Sequence, residues 1–371
     1  MRDLNRAWVA VAAGLVVWAM PGPDRAEALD LFAPFTLGSR PEVTAVTAAT
    51  PPPAFTTLDL VGPFPDRAPL WRDVDPLLQS SLVKMIGQIG LMPAAERLNL
   101  ALALVDITDV NSPRVAAING DYMMYAASLP KIAILLAAFE RIAAGQLVLD
   151  AHTLAVLKAM IRYSSNTAAS EMMGKVGLPF IADVLSSPRY RLYDESHNGG
   201  LWAGKAYAQE GLWQRDPLHN LSHGGTPMQI ARFYYLLETG QLVSPEYSQQ
   251  MKEILGHPGI IHKFVKGMKE RDPDALIFRK SGSWANWHSD SAIVERAGRR
   301  YIAVALSDDP DGRHWLEVLI QAFDTVIFST PVVQRASAPP VSAIALVAPP
   351  TSDEGVAQMP RLLKPRYSLR P

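Results

Sequence analysis

The stretch Ala126-Ala127-Ser128-Leu129-Pro130-Lys131-Ile132-Ala133-Ile134 constrains this chain more than any other. The run that continues it, through Leu135, Leu136, Phe139 and Ile142, is apolar enough to predict a buried helix. Pro130 fits a first helical turn, where its missing N–H has no partner to lose. Ser128 and Lys131 are three residues apart, so a helix that starts here puts them on one face, about one turn apart. A serine hydroxyl becomes a nucleophile when a nearby base takes its proton, and a lysine can be that base once burial lowers its pKa. The helix dipole adds a preference for developing negative charge at this end.

The flanking patterns are segregated. Asp75-Pro76 opens a helical pattern carried by Leu77, Leu78, Leu82, Met85 and Ile86. Residues 99–105 and 114–118 read as strands separated by a turn at Asp109 to Pro113. Helical spacing follows at 151–162, 166–174 and 179–185. From 186 to 225 periodicity fails, and long irregular stretches inside a domain tend to be functional. Helices return at 226–238 and 244–255, strands at 276–280, 291–295 and 301–306, and a closing helix at 311–328. This order predicts an α+β fold, with an antiparallel sheet flanked by N- and C-terminal helices and a separate helical lobe. The serine helix is expected where sheet and lobe meet.

Arg2 and Arg6 precede an uncharged apolar run from Ala7 to Met20, then Pro21-Gly22-Pro23 and the small-x-small triplet Ala26-Glu27-Ala28. Residues 1–28 therefore read as a signal peptide, which predicts a periplasmic or secreted protein with no stable membrane span after cleavage. Residues 29–73 read as a Pro-rich linker, 74–329 as the folded domain, and 330–371 as a Pro-rich tail expected to be disordered. The absence of cysteine removes disulfides, thiol catalysis and cysteine metal sites. A net charge of −1 and the lack of basic–aromatic interleaving give no sign of a nucleic-acid partner.

Two further motifs follow the first in order: Tyr163-Ser164-Ser165-Asn166 between two helices, and Arg279-Lys280-Ser281-Gly282-Ser283 at a strand end. Ser-x-x-Lys, Ser-x-Asn and Lys-Ser/Thr-Gly in this order form the signature of the penicillin-recognising serine enzymes. Over residues 75–329 the chain resembles that family, and class A β-lactamases most. Asn166-Thr167-Ala168-Ala169, Thr226-Pro227-Met228-Gln229-Ile230-Ala231 and the run Leu236 to Val243 extend the likeness.

The resemblance implies a β-lactamase/transpeptidase-like fold and hydrolysis of a β-lactam amide through an acyl-enzyme on Ser128. Lys131 would activate that serine, Ser164 would relay a proton to the leaving nitrogen, and Asn166 would hold the substrate amide or Lys131. Lys280, Ser281 and Ser283 would bind the substrate carboxylate, Gly282 would let the substrate backbone approach the strand, and the N–H groups of Ser128 and Ser283 would form the oxyanion hole. The implied partner is a small molecule, a β-lactam or an acyl-D-Ala-like compound, met by a monomer that needs no cofactor.

Three departures stand out. The middle motif has Ser165 where the family usually has aspartate, and the interval from Ser128 to Ser164 is short for class A. The family's loop glutamate that activates water has no clear match; Glu195 is the nearest candidate and Glu210 the next. Without such a base an acyl-enzyme would persist, so a D,D-peptidase-like or esterase-like enzyme, and a penicillin-binding sensor that does not turn over, remain alternatives. His219 and His223 are four apart, which suits zinc on a helix. The intervening residues lack a metalloprotease glutamate and no third ligand is evident, so no metal is predicted. His288, with Trp284 and Trp287, either lines the pocket mouth or packs against the sheet.

Overall fold

The computed structural model describes Leu70, residues 74–207 and residues 213–331. The chain enters through α1 (Pro76–Gln88) and α2 (Met92–Glu96), then forms β1 (Leu100–Asp106), β2 (Arg114–Ile118) and the short β3 (Met124–Tyr125). The lobe follows as α3 (Lys131–Ala143), α4 (Ala151–Arg162), α5 (Asn166–Val176) and α6 (Leu178–Ser186). Short strands β4 (Tyr193–Asp194), β5 (Gly199–Gly200), β6 (Trp202–Ala203) and β7 (His223–Gly225) organise the stretch that has no periodicity. Helices α7 (Pro227–Glu238), α8 (Pro245–Leu255) and α9 (Phe264–Arg271) lead to strands β8 (Leu276–Trp284), β9 (Trp287–Arg296) and β10 (Arg299–Asp308), and α10 (Gly312–Ser329) closes the fold.

The main sheet has the order β2-β1-β10-β9-β8, antiparallel throughout. The early strands thus lie beside the late ones, as the α+β reading requires. Side chains alternate along β1: Ala101, Ala103 and Val105 join the core under the lobe, while Leu100, Leu102 and Leu104 join the core under α1, α9 and α10. A sheet covered on both faces needs strands that are apolar at every position, which is why β1 reads as an unbroken apolar run. Helix α3 is the axis of the lobe, and every side chain from Lys131 to Glu140 is buried. Aspartate and hydroxyl caps fix the helix starts: Asp75 accepts from Leu78 N at 2.8 Å, Asp150 from Thr153 N at 2.7 Å and Ser244 from Tyr247 N at 3.2 Å.

Several boundaries move. Regular helix begins at Lys131, not at Ser128; Ser128 sits in the tight turn before it, where Lys131 N donates to Ser128 O at 3.3 Å. Strands β8 and β9 run on past the expected limits at 280 and 291 to a two-residue turn at Ala285-Asn286. Helices α2 and α9 were not expected. Of the expected linker, 29–73, only Leu70 is described, buried in the lobe-side core; Val74, the first residue of the expected domain, bridges to Val115. The expected leader at 1–28 lies outside the described residues, as does the expected tail apart from Thr330 and Pro331. Among the described residues no helix is long and apolar enough to cross a membrane.

Candidate active site

The turn carrying Ser128 is pinned from three sides. Ala126 N donates to His223 O of β7 at 3.1 Å, and the Ser289 hydroxyl of β9 donates to Ala126 O at 2.8 Å. Gly282 of β8 presses against the same backbone: a Cβ there would lie 2.2 Å from Ala126 O, 2.6 Å from Ser128 N and 2.8 Å from Leu129 N. The glycine is therefore needed for the close approach of the turn that carries Ser128. Ala127 has φ +50°, an uncommon left-handed conformation for a residue with a side chain. Ser128 itself is half-buried.

Lys131 is fully buried at the head of α3. Its Nζ donates to Ser164 O at 2.5 Å and to Asn166 Oδ1 at 2.8 Å, and lies 3.4 Å from Ser164 Oγ. Burial lowers its pKa from the ordinary lysine value to about 7. Ser164 follows α4 in a left-handed conformation, φ +58°, and Ser165 caps α5 by accepting from Ala168 N at 3.2 Å. The residue that departs from the family motif is thus the helix cap. Asn166, the first residue of α5, is left to face Lys131.

Lys280 arrives from β8 and is also buried. Its Nζ donates to Ser164 Oγ at 2.9 Å and to Ser281 O at 2.6 Å. Burial first, then the charges of Lys131, Arg279 and Lys263, hold its pKa well below the ordinary lysine value; Asp290 opposes them. Ser164 Oγ therefore lies between the amines of two buried lysines. Behind the strand, Arg279 and Asp290 form a buried two-pronged pair, both contacts at 2.8 Å. An anion bound beside Lys131 and Lys280 would favour their charged forms.

The two motif hydroxyls diverge. Ser281 is buried, with its Oγ 3.2 Å from Nε2 of His262. Burial and the nearby cations lower the pKa of His262 to about 2, so that imidazole is neutral. Ser283 is exposed and accepts from Lys263 Nζ at 2.7 Å. Lys263, a third buried lysine, also donates to Gly282 O at 2.5 Å. It precedes α9 with φ +51°, and as a lone lysine with no motif around it nothing in the sequence marks it. Tyr207 is likewise unmarked: its ring centroid lies 4.4 Å from Lys131 Nζ.

Glu195 stands apart. It is exposed on a single 3₁₀ turn, Glu195–His197, and lines a cleft with Asp183, Arg191, Tyr193, Trp202 and Gln214. The lining of that cleft does not include Ser128, Lys131, Ser164 or Lys280. Glu210 lies outside the described residues. His219 and His223 are engaged by backbone: Nε2 of His219 is 3.1 Å from Asn198 O, and Nε2 of His223 is 2.9 Å from Lys205 O. His288 Nδ1 lies 3.4 Å from Ser283 Oγ, while Trp284 and Trp287 meet Tyr125 edge-on at 5.8 and 6.0 Å, so all three members of that group border the site.

Because Lys131 has a pKa near 7, its neutral, proton-accepting form is lost as pH falls below that value. Acylation of Ser128 is expected to fall about tenfold per pH unit below about pH 7 and to level off above it, as measured by single-turnover rates across the range. A flat profile would show that Lys131 is not the titrating base.

An antiparallel sheet flanked by helices, with a helical lobe against it and two buried lysines meeting around Ser164 beside the Ser128 turn, is the β-lactamase/transpeptidase-like fold. The β-lactamase enzyme family matches residues 101–155 and 151–327, and the chain belongs to this family. Among solved structures, PBP-A superimposes with a TM-score of 0.51 at 17% identity, covering 67% of this chain and 97% of that one. A β-lactamase from Sphaerobacter thermophilus gives 0.51 at 18%, covering 68% and 99%. A class A β-lactamase representative from Bacteroides cellulosilyticus gives 0.53 at 14%, covering 68% and 98%. At these identities the likeness is one of fold. No curated protein matches the chain.

Proposed function

We propose that this protein is an exported serine hydrolase whose Ser128 opens β-lactam rings or attacks an acyl-D-Ala-like bond to form an acyl-enzyme. The observation that carries this reading is the convergence of Lys131 and Lys280 on Ser164 Oγ, at 3.4 and 2.9 Å, beside the turn that presents Ser128. Neutral Lys131 takes the Ser128 proton, and Oγ adds to the lactam carbonyl carbon. The carbonyl oxygen gains negative charge at the N–H groups of Ser128 and Ser283, an interaction whose loss typically costs about 3 kcal/mol of barrier. The C–N bond then breaks, and the leaving nitrogen takes the Ser164 proton, which the Lys131 ammonium replaces. Lys280 and the Ser283 hydroxyl, backed by Lys263, hold the substrate carboxylate. Export rests on the leader pattern of residues 1–28.

A second reading, a penicillin-binding protein with slow release, is favoured by the position of Glu195 away from the cluster and by the aromatic ring against Lys131. Intact mass after mixing with penicillin G, beside a Ser128→Ala control, separates the two. A transient adduct with accumulating penicilloate is expected of a β-lactamase, and a lasting adduct of the penicillin-binding form. No adduct at all would remove lactams as substrates.

A further inference from the structure

We infer that Tyr207 is a positioning residue that covers Lys131 and shields the Ser128 ester from water, so that it sets the lifetime of the acyl-enzyme. The inference rests on the reading of Ser128 as the acylated residue. Three contacts place Tyr207. Its ring lies 4.4 Å from Lys131 Nζ, a cation–π distance. Its hydroxyl donates to Ala127 O at 3.2 Å, the carbonyl of the left-handed residue immediately before the nucleophile. Its ring packs on His223, with centroids 4.3 Å apart and planes inclined by 37°.

The surroundings hold this arrangement. Nε2 of His223 is tied to Lys205 O at 2.9 Å, and Tyr125 meets the imidazole edge-on at 6.2 Å. Burial lowers the pKa of His223 to about 4, so the ring stacked on Tyr207 is neutral and adds no charge beside Lys131. Burial, then Tyr125, raises the Tyr207 phenol well above its ordinary pKa, so its hydroxyl stays a donor.

Hydrolysis of the Ser128 ester requires a water oxygen to add to the acyl carbon and a neighbouring base to take its proton. The C–Oγ bond then breaks, Ser128 Oγ recovers a proton, and the product leaves as an acid. At the face of Lys131 that Tyr207 occupies, the structure offers an aromatic face and a protonated phenol. Neither accepts a proton from water, and the ring fills the space a water would need. The same phenol anchors the Ser128 turn through Ala127, so acylation and release are governed by different parts of one side chain. Ring removal frees release, and hydroxyl removal loosens the turn.

Two measurements test this on the full-length protein. In the first, adduct lifetimes with penicillin G are compared for wild type, Tyr207→Ala and Tyr207→Phe. The alanine variant is expected to shorten the lifetime by about tenfold or more, and the phenylalanine variant to keep it while acylating a fewfold more slowly. In the second, Lys131 is pulse-labelled with acetic anhydride without any lactam and quantified by peptide mass spectrometry. Labelling is expected to rise about tenfold in Tyr207→Ala and to stay at the wild-type level in Tyr207→Phe. Unchanged labelling in a folded Tyr207→Ala overturns the inference. So does raised labelling with an unchanged lifetime, because Lys131 would then be covered without the ester being protected. If wild type takes up no penicillin G, the functional reading fails, and the labelling contrast still decides whether Tyr207 covers Lys131. If Tyr207→Ala does not fold, Tyr207→Thr, which also vacates the volume of the ring, carries both measurements.

Discussion

Gly282→Ala is expected to reduce the second-order rate of Ser128 acylation by at least about 10²-fold, the scale of loss when reacting groups are displaced by about 1 Å. The added methyl group would lie 2.2 Å from Ala126 O and 2.6 Å from Ser128 N, and neither is the flexible end of a side chain. Relief through Ala126 is blocked because the Ser289 hydroxyl holds its carbonyl at 2.8 Å. The turn must therefore move away from β8, carrying Ser128 Oγ away from Lys131 and its N–H away from the oxyanion position. Acylation by penicillin G, read beside the thermal midpoint, checks this. The midpoint is expected to fall by a few degrees and the rate by far more. A rate within threefold of wild type, with β8 intact, would show that the turn tolerates the displacement.

Lys131→Met and Lys131→Arg are both expected to lower single-turnover acylation by about 10³-fold, within the range removed with a general base. Arginine is the informative variant. It keeps a positive charge near Ser164 and Asn166 but does not give up its proton at any working pH, so it serves as a donor and never as a base. Equal losses in the two variants would assign Lys131 to proton transfer. If Lys131→Arg kept a substantial fraction of the rate, the lysine would act through its charge alone. Methionine also removes the donor that Ser164 O and Asn166 Oδ1 accept from, so part of its effect would appear as loss of stability.

What was legible in the sequence was what packs by period. The apolar face of α3, the doubly buried β1 and the proline-led start of α7 each declare themselves in a few residues. The inner ends of β8 and β9 did not, because Lys280 to Ser291 is polar for the sake of the site: Ser281, Ser289, Asp290 and Ser291 are buried polar residues that face partners other than apolar side chains. Helix α9 was hidden by Gly267, which lowers helix propensity. A Cβ at that position would meet Glu317 O of α10 at 2.1 Å, so the glycine serves the close approach of two helices.

The motif residues were legible because the three motifs occur in one order along the chain. Lys131, Ser164, Asn166 and Lys280 are joined by hydrogen bonds, and Lys131 N donates to Ser128 O in the turn that opens α3. Glu195 was chosen by proximity along the chain, and the direction a loop carboxylate faces is set by the turn that carries it. Tyr207 and Lys263 reach the site through tertiary packing with no local pattern, so no window of sequence contains the reason for their position.

The sheet order has a consequence for how the molecule comes into being. Strand β1 is paired on one side with β10, from Leu100 opposite Ser307 to Asp106 opposite Tyr301. Everything between them, including α3, the lobe and all three motifs, is a single long excursion whose ends must be brought together before the centre of the sheet exists. Closing such a loop is an entropic barrier that local helix formation does not relieve, which places this fold among the slower, high-contact-order folders. The turn that carries Ser128 depends on two distant strands, since Ala126 is fastened both to β7 and to β9. In rising denaturant, reactivity at Ser128 is therefore expected to be lost together with the sheet, and a chain that has not yet paired its last strand with its first carries the motifs without the site.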